Sequence, residues 1–424
     1  MMPFVLFSSF FVLLFLGVPV AFSLAASSVL YLLLAGLPLS IVPRTMFAGM
    51  DSFVLLSIIG FVLAGNLMTA GGVVDRIIRL SNSVIGHVRG GLGLANIFAS
   101  IIFAGKSGSA LADVASLGTA LIPAMKKEGY DAPFSVAVSA ASSTIGPILP
   151  PSIPMILIGT IGGISITGLF MGGVFPGFTM AIFMMIASFI ISKRNNHPIG
   201  PRGSLRQFWS ALREAFWGIS ITILLLSGLF GGFFTPSEAA SLAVIYAIVV
   251  GMFIYRDLKP RDLPKIFADS VILVAGIMLL VGFARVFGWI LSAERIPQAV
   301  ASAMLSLTTN PLLIILLMNV LLLIVGAFME TGAAIMILTP MLLGISNEIG
   351  MAPIQFGVMM VFNLVIGLIT PPVGVCLFVA ADVGKVSLKQ AVYALLPFYA
   401  VNLLVLLIIA YVPAFTLWLP SLMR

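Results

Sequence analysis

Residues Gly146-Pro147-Ile148-Leu149-Pro150-Pro151 and, 221 positions later, Gly367-Leu368-Ile369-Thr370-Pro371-Pro372 spell the same G-x-x-x-P-P pattern inside long stretches without a charged side chain. Proline has no N–H and, inside a helix, removes an i to i−4 hydrogen bond, while glycine admits backbone angles that other residues resist. A membrane helix is therefore broken twice, in matching places. Unwound backbone is tolerated in hydrocarbon only where its polar groups face protein, water or an ion. The elbow then offers carbonyl oxygens suited to a hard cation such as Na⁺. The half-helix that restarts after the prolines offers free N–H groups suited to a carboxylate. A proline kink used only for packing is the competing reading, and the recurrence of the break argues against it.

Charge-free runs extend over 132–192, 349–381 and 390–423. About 20 apolar residues span the ~30 Å hydrocarbon core, so each run can cross. With 61% hydrophobic and 8% charged residues the chain has the composition of an integral membrane protein, with no independent soluble domain. Its length allows ten or eleven crossings. The first basic residue is Arg44, so the apolar segment 3–16 lacks the basic flank of a cleavable signal and reads as the first membrane segment. The single Cys376 excludes an internal disulfide and cysteine metal cages. A net charge of +7 is dispersed over short loops, so no nucleic-acid partner is expected.

The crossings are threaded in two halves. Residues 1–192 form a first repeat, with scaffold helices over 1–72, a hairpin at 92–126, a broken helix at 133–165 and a crossing at 168–192. Residues 193–214 form a basic cytoplasmic linker, read as an interfacial segment with Phe208, Trp209, Leu212 and Phe216 on one face. Residues 215–424 form the second repeat, with scaffold helices over 216–254 and a crossing at 267–290. Its hairpin lies at 298–346, its broken helix at 353–383 and its last crossing at 390–415. This threading puts sixteen of the 21 Lys and Arg residues on one side. That side is cytoplasmic by the positive-inside rule. Matched residues such as Pro19 and Pro236, or Pro123 and Pro340, keep an offset of 215 to 221. A half with an odd number of crossings inserts upside down when duplicated. The predicted fold is an all-α polytopic membrane protein of two inverted-topology repeats, each with a re-entrant hairpin and a broken helix, the build of secondary transporters.

The first hairpin carries Lys106-Ser107-Gly108-Ser109 at its tip. Fourteen residues leading to it reach only about 21 Å as helix, short of a crossing. The second hairpin has 312–327 as its inbound arm, 333–343 as its return, and Phe328-Met329-Glu330-Thr331-Gly332 at its tip. Two tips and two elbows are expected to meet near mid-membrane.

The tip G-K-S-G-S-A-L-A-D (105–113), the elbow I-G-P-I-L-P-P-S-I-P (145–154), the turn G-G-F-F-T-P-S-E-A-A (231–240) and G-L-I-T-P-P-V-G (367–374) resemble the large membrane subunit of tripartite ATP-independent periplasmic (TRAP) transporters, over essentially the full length. The resemblance implies an elevator-type symporter for organic acids, driven by Na⁺, in the bacterial inner membrane. It implies two partners, a small four-helix membrane subunit and a periplasmic substrate-binding protein. Solutes of such systems include C4-dicarboxylates and sialic acids. By motif, Ser107 and Ser109 with the carbonyls around Gly146, Leu149 and Pro150 correspond to one Na⁺ site. Gly326 and Met329 with Gly367, Thr370 and Val373 correspond to the second. Lys106, Ser152, Arg285 and Thr331 are the substrate-contact candidates. Lys106 departs from the small or apolar residue expected before S-G-S.

Ionisable groups in apolar surroundings are costly and functional by default. Asp113, one turn past Ser109, either holds the tip, pairs with Lys106 or caps the return helix. Arg285 binds an anion, snorkels or pairs within the scaffold. Glu330 adds charge beside a cation site or faces water. Glu238, after Thr235-Pro236-Ser237, reads as a cap, and His87 and His197 read as solvated loop residues. A membrane-embedded hydrolase using Ser107 or Ser109 needs a base within hydrogen-bond reach. Lys106 is adjacent to Ser107 on one helix and faces elsewhere. A passive anion channel remains the stronger rival, since carbonyl-lined broken helices also build pores.

Overall fold

In the computed structural model, residues 2–201 and 204–422 are described, apart from the side chains of Lys106, Ser107 and Leu305. The described residues form helices throughout, with one isolated bridge between Arg89 and Ile199. Seven helices are long and apolar enough to cross a membrane. They are Phe53–Ala70, Ile166–Arg194, Leu205–Phe230, Pro236–Ile254, Pro260–Ala293, Pro311–Phe328 and Leu388–Tyr411. Ten or eleven full crossings were expected, and the balance consists of shorter helices. Met2–Phe15 and Val20–Leu34 have 14 and 15 residues, joined at Gly17, whose φ of +81° suits glycine. At 1.5 Å per residue each reaches only about 21–23 Å.

Local sequence sets the starts. Thr235 accepts from the Glu238 amide and Glu238 returns a carboxylate to the Thr235 N–H at 2.8 Å, with Pro236 at the first helical position. Glu238 is thus the cap that its position announced. A second capping box, Ser204 with Gln207, starts Leu205–Phe230. That start corrects the linker. The helix expected at 216 begins at Leu205, and Ala211 and Ala215 face inward while Trp209 and Phe216 remain 64% and 52% exposed.

The second hairpin is also shorter than 298–346. Ile296–Leu307 is a separate helix, and the hairpin itself is Pro311–Phe328 followed by Thr331–Glu348. Asn310 caps the inbound arm and Pro311 cannot continue a preceding helix, which forces the division. The first hairpin is Gly91–Ser107, then Ala110–Asp113, a π-turn at Val114–Gly118, and Thr119–Lys127.

Both broken helices are present. Ala132–Ser143 and Ile153–Gly162 flank the first elbow, and Pro353–Gly367 and Val375–Gly384 flank the second. The Pro150–Pro151 and Pro371–Pro372 bonds are both cis. Each broken helix leads into a long helix, Ile166–Arg194 or Leu388–Tyr411. The two halves interlock: Leu56–Ala70 packs on Pro236–Val249, Val20–Leu34 on Leu263–Ala293, and Ile153–Gly162 on Thr331–Glu348. Lys126 of the first hairpin donates to the Gly384 carbonyl at 2.8 Å, satisfying the end of the second half's half-helix.

His197 overturns its expectation as a solvated residue. It is 3% exposed, set between the rings of Tyr130 and Phe134, with Nδ1 3.1 Å from Ser192 Oγ and Nε2 3.0 Å from Asp131 Oδ2. The segment is pinned because the Gly90 amide donates to the Pro198 carbonyl and Arg89 donates to Asn196. Burial pushes the adjacent Tyr130 phenol above its usual range, opposed in part by the Leu92 amide that donates to it.

Candidate functional site

Each hairpin tip closes on an elbow of its own half. At the first, Gly108 has φ +56° and sits so close that a Cβ would lie 2.5 Å from the Pro151 carbonyl oxygen. A Cβ on Gly146 would in turn come 3.5 Å from the backbone of Ser109. At the second, a Cβ on Gly367 would lie 2.1 Å from the Gly326 carbonyl oxygen, and the Val373 amide donates to the Ala327 carbonyl at 3.2 Å. At Gly108 and Gly367 only glycine permits such an approach of backbone to backbone, whereas a Cβ on Gly146 would make ordinary contact with Ser109.

The elbows leave acceptors open. Among the described residues no donor reaches the carbonyls of Gly146, Leu149 or Pro150 in the first elbow. The same holds for Gly326, Met329, Thr370 and Val373 in the second, whereas the Gly367 carbonyl accepts from the Thr370 amide at 3.0 Å. Thr370 Oγ1 donates to the Ile366 carbonyl at 2.7 Å and lies within hydrogen-bond reach of the Tyr399 hydroxyl. Oxygen acceptors without donors are what a hard cation requires. Among the described residues no group of three His, Cys, Asp or Glu side chains could hold a metal ion, so such an ion would be held by carbonyls and hydroxyls.

Gly146 approaches Ser109, with Leu149 and Pro150 in the same elbow, and Gly367 approaches Gly326, with Met329 in that tip and Thr370 and Val373 in that elbow. The side chains of Lys106 and Ser107 lie outside the described residues, although both belong to the helix Gly91–Ser107. Ser152 is fully buried, donates to the Pro147 carbonyl and accepts from the Met155 amide at 3.2 Å, so it stitches the elbow and caps the half-helix. Thr331 is 3% exposed and its hydroxyl has no partner among the described residues. Glu330 caps Thr331–Glu348 by accepting from the Ala333 amide at 3.1 Å, and its side chain is otherwise exposed. Arg285 stands apart from both elbows, lining a cavity on the helix Leu263–Ala293.

Asp113 is not the cap of the return helix. Ser109 takes that role, accepting from the Ala112 amide at 3.4 Å. Asp113 is 1% exposed, with Oδ1 3.2 Å from Ser100 Oγ. The Ser100 hydroxyl is 3.1 Å from Ser142 Oγ, and Asn96 donates to Ser139 at 2.6 Å. In the second half Asn363 donates to Asn319 Oδ1 at 2.9 Å and to its carbonyl at 3.0 Å. These ladders tie each inbound arm to its broken helix, and sequence reasoning missed them. The signal was present: Ser142 and Asn363 are 221 positions apart, the same offset as the elbows, inside charge-free runs.

Apolar helices long enough to cross a membrane, two of the shorter ones broken at donor-free carbonyls, define a polytopic helical membrane protein. The particular family follows from comparison: the model of the DctM component of tripartite ATP-independent periplasmic transporters matches residues 7–415, and the chain belongs to that family. It is 38% identical to the sialic acid TRAP transporter large permease protein SiaM of Vibrio cholerae, over 97% of this chain and 96% of the relative. It is 42% identical to the isethionate TRAP transporter permease protein DctMQ of Oleidesulfovibrio alaskensis, over 97% of this chain and 65% of that longer protein. The solved YdaH transporter of Alcanivorax borkumensis shares the fold, with a TM-score of 0.62 and 15% identity over 90% of this chain and 87% of that one. The chain is therefore the large permease component of a transport system.

Proposed function

We propose that this protein carries an organic acid anion across the bacterial inner membrane as a Na⁺-coupled symporter of the elevator type. In this reading it is two inverted repeats, whose hairpins and broken helices form one mobile body and whose remaining helices form a fixed scaffold. One observation carries the proposal: two tips, each closed by glycine on a G-x-x-x-P-P elbow, surround carbonyls that meet no donor among the described residues. Na⁺ binds oxygen, and two such nests of carbonyls with Ser107, Ser109 and Thr370 hydroxyls supply it. Filling them rigidifies the tips, so ion and anion raise each other's affinity by the same factor. Lys106, Thr331 and the half-helix that Ser152 caps take the substrate carboxylate, with Arg285 on the scaffold side. The relatives named for sialic acid and isethionate support an acidic solute, delivered by a periplasmic binding protein. A small four-helix membrane subunit completes the complex on the scaffold.

The test is uptake into proteoliposomes holding the chain with its small subunit, supplied with loaded binding protein. A Na⁺ gradient is expected to drive accumulation, and Ser109→Ala and Thr370→Ala each to raise the Na⁺ concentration for half-maximal uptake. Unchanged accumulation in Na⁺-free buffer overturns the coupling, and flux without saturation returns the protein to the channel class.

A further inference from the structure

Arg285 is the only charged residue between Asp269 and Glu294, a stretch of 24 positions that crosses the membrane. It lies about 5 Å past the midpoint of that stretch at 1.5 Å per residue, within the hydrocarbon half-thickness of about 15 Å. An unpaired guanidinium at that depth is expensive. Yet among the described residues Arg285 makes no hydrogen bond and no ion pair.

The side chain lines a cavity of about 400 Å³ in which no acidic residue takes part. Val281, Arg285, Gly288 and Ser292 form its stripe on Leu263–Ala293, at the three- and four-residue spacing of one helix face. Thr45 and Gly49, four residues apart on Ile41–Met50, form the facing stripe. Gly49 is buried beneath the arginine stem, and a Cβ there would come 2.3 Å from Arg285 Cγ. Room for the arginine has thus been made in the neighbouring helix. The third wall comes from the hairpin and broken helix, through Met336 and Ile161. Arg285, Thr45 and Ser292 are the polar side chains of a lining that is otherwise apolar or glycine, between helices of two different parts of the molecule.

We propose that this cavity is an anion site, in which Arg285, with the Thr45 hydroxyl of the same lining, holds one carboxylate or phosphate group at the seam between scaffold and hairpin. Guanidinium forms two parallel charge-assisted bonds to either group, and Arg285 is exposed, so an incoming anion can reach it. The anion neutralises the one membrane-depth charge on this helix. Two sources share the chemistry: the headgroup of an anionic phospholipid whose chains follow the apolar walls, and a small carboxylic acid such as the transported solute. The charge argument stands without the transport reading, and the test reads binding without uptake.

The purified complex in neutral detergent is titrated separately with dioctanoyl phosphatidylglycerol, dioctanoyl phosphatidylcholine and succinate. Native mass spectrometry counts bound molecules and thermal melting reports saturation. Phosphatidylglycerol or succinate is expected to bind saturably at one Arg285-dependent site, with zwitterionic phosphatidylcholine weaker. Arg285→Met is expected to weaken binding about tenfold to a hundredfold, the scale of a lost charge-assisted bond, and Arg285→Lys less. Gly49→Leu keeps the charge but displaces the stem, and weakens binding as well. Dependence on Arg285 for the lipid alone identifies a headgroup site, and for succinate alone a solute site. Equal binding of both anions by wild type, Arg285→Met and Gly49→Leu overturns the proposal.

Discussion

The two elbows share a sequence pattern but not an environment. Every residue from Gly146 to Ser152 is buried, whereas Pro371, Pro372 and Val373 are exposed. The first is backed by Ile166–Arg194, where Cβ atoms on Gly173 and Gly177 would meet the Ile148 carbonyl oxygen and the Leu149 side chain, both at 2.5 Å. The second is held by Tyr399 of Leu388–Tyr411, whose hydroxyl donates to the Ile369 carbonyl, and its proline end is exposed. A broken helix thus fixes where acceptors are released. Neighbouring helices fix whether those acceptors are sealed.

The comparison is broken most directly at the glycines. Gly367→Ala puts a methyl 2.1 Å from the Gly326 carbonyl oxygen and Gly108→Ala puts one 2.5 Å from the Pro151 carbonyl oxygen at φ +56°. Backbone must give way in both, at a cost of about 1–3 kcal/mol or more. Each is expected to abolish solute uptake by proteoliposomes, while Gly276→Ala, where a Cβ meets nothing within 4 Å and the backbone is helical, retains most of it. Full uptake by Gly367→Ala would show that the tip does not close on its elbow during transport.

Exposure gives a sharper contrast. With Cys376 fully buried, the native protein is expected to resist a membrane-impermeant maleimide in intact complex. Val373→Cys, at a position 39% exposed, is expected to react, and Leu149→Cys, at a position 5% exposed, to stay silent. If the second elbow binds Na⁺, added Na⁺ slows labelling at 373 severalfold, and equal labelling at both positions would erase the distinction.

The polar ladders beneath the elbows differ in charge. Asp113→Ala removes the acceptor near Ser100, and Asn363→Leu removes the donor to Asn319. Asn363→Leu leaves the buried Asn319 Oδ1 without its donor, worth about 1–3 kcal/mol, while Asp113→Ala leaves Ser100 to Ser142 alone and opens a cavity in the buried ladder. Both variants are expected to melt several degrees lower. Asp113→Asn, which keeps the shape and an acceptor, is expected to recover most of the loss, and a variant that melts as wild type would deny its ladder a structural role.

The smallest effect lies outside both elbows. Thr235→Ala removes the cap of Pro236–Val249, and about 1 kcal/mol of stability is expected to go with it. Uptake at moderate temperature is expected to hold, so a large loss there would reveal a further role for that turn.

Pro150-Pro151 and Pro371-Pro372 determined the breaks without help, because a missing N–H and a fixed φ act within a few residues. The charge-free runs, the Thr235-Glu238 capping box and the family motifs were equally legible, since each is read from neighbouring positions. Linker and hairpin boundaries were less so: the capping pair Ser204 and Gln207 was there to read, but the apolar run after 215 drew the helix start towards itself. Only the tertiary structure decided that His197 is buried, that Arg285 has no partner among the described residues, and that one elbow is sealed and the other open. Those outcomes depend on residues dozens to hundreds of positions away, whose approach is set by how helices pack and not by the local chain.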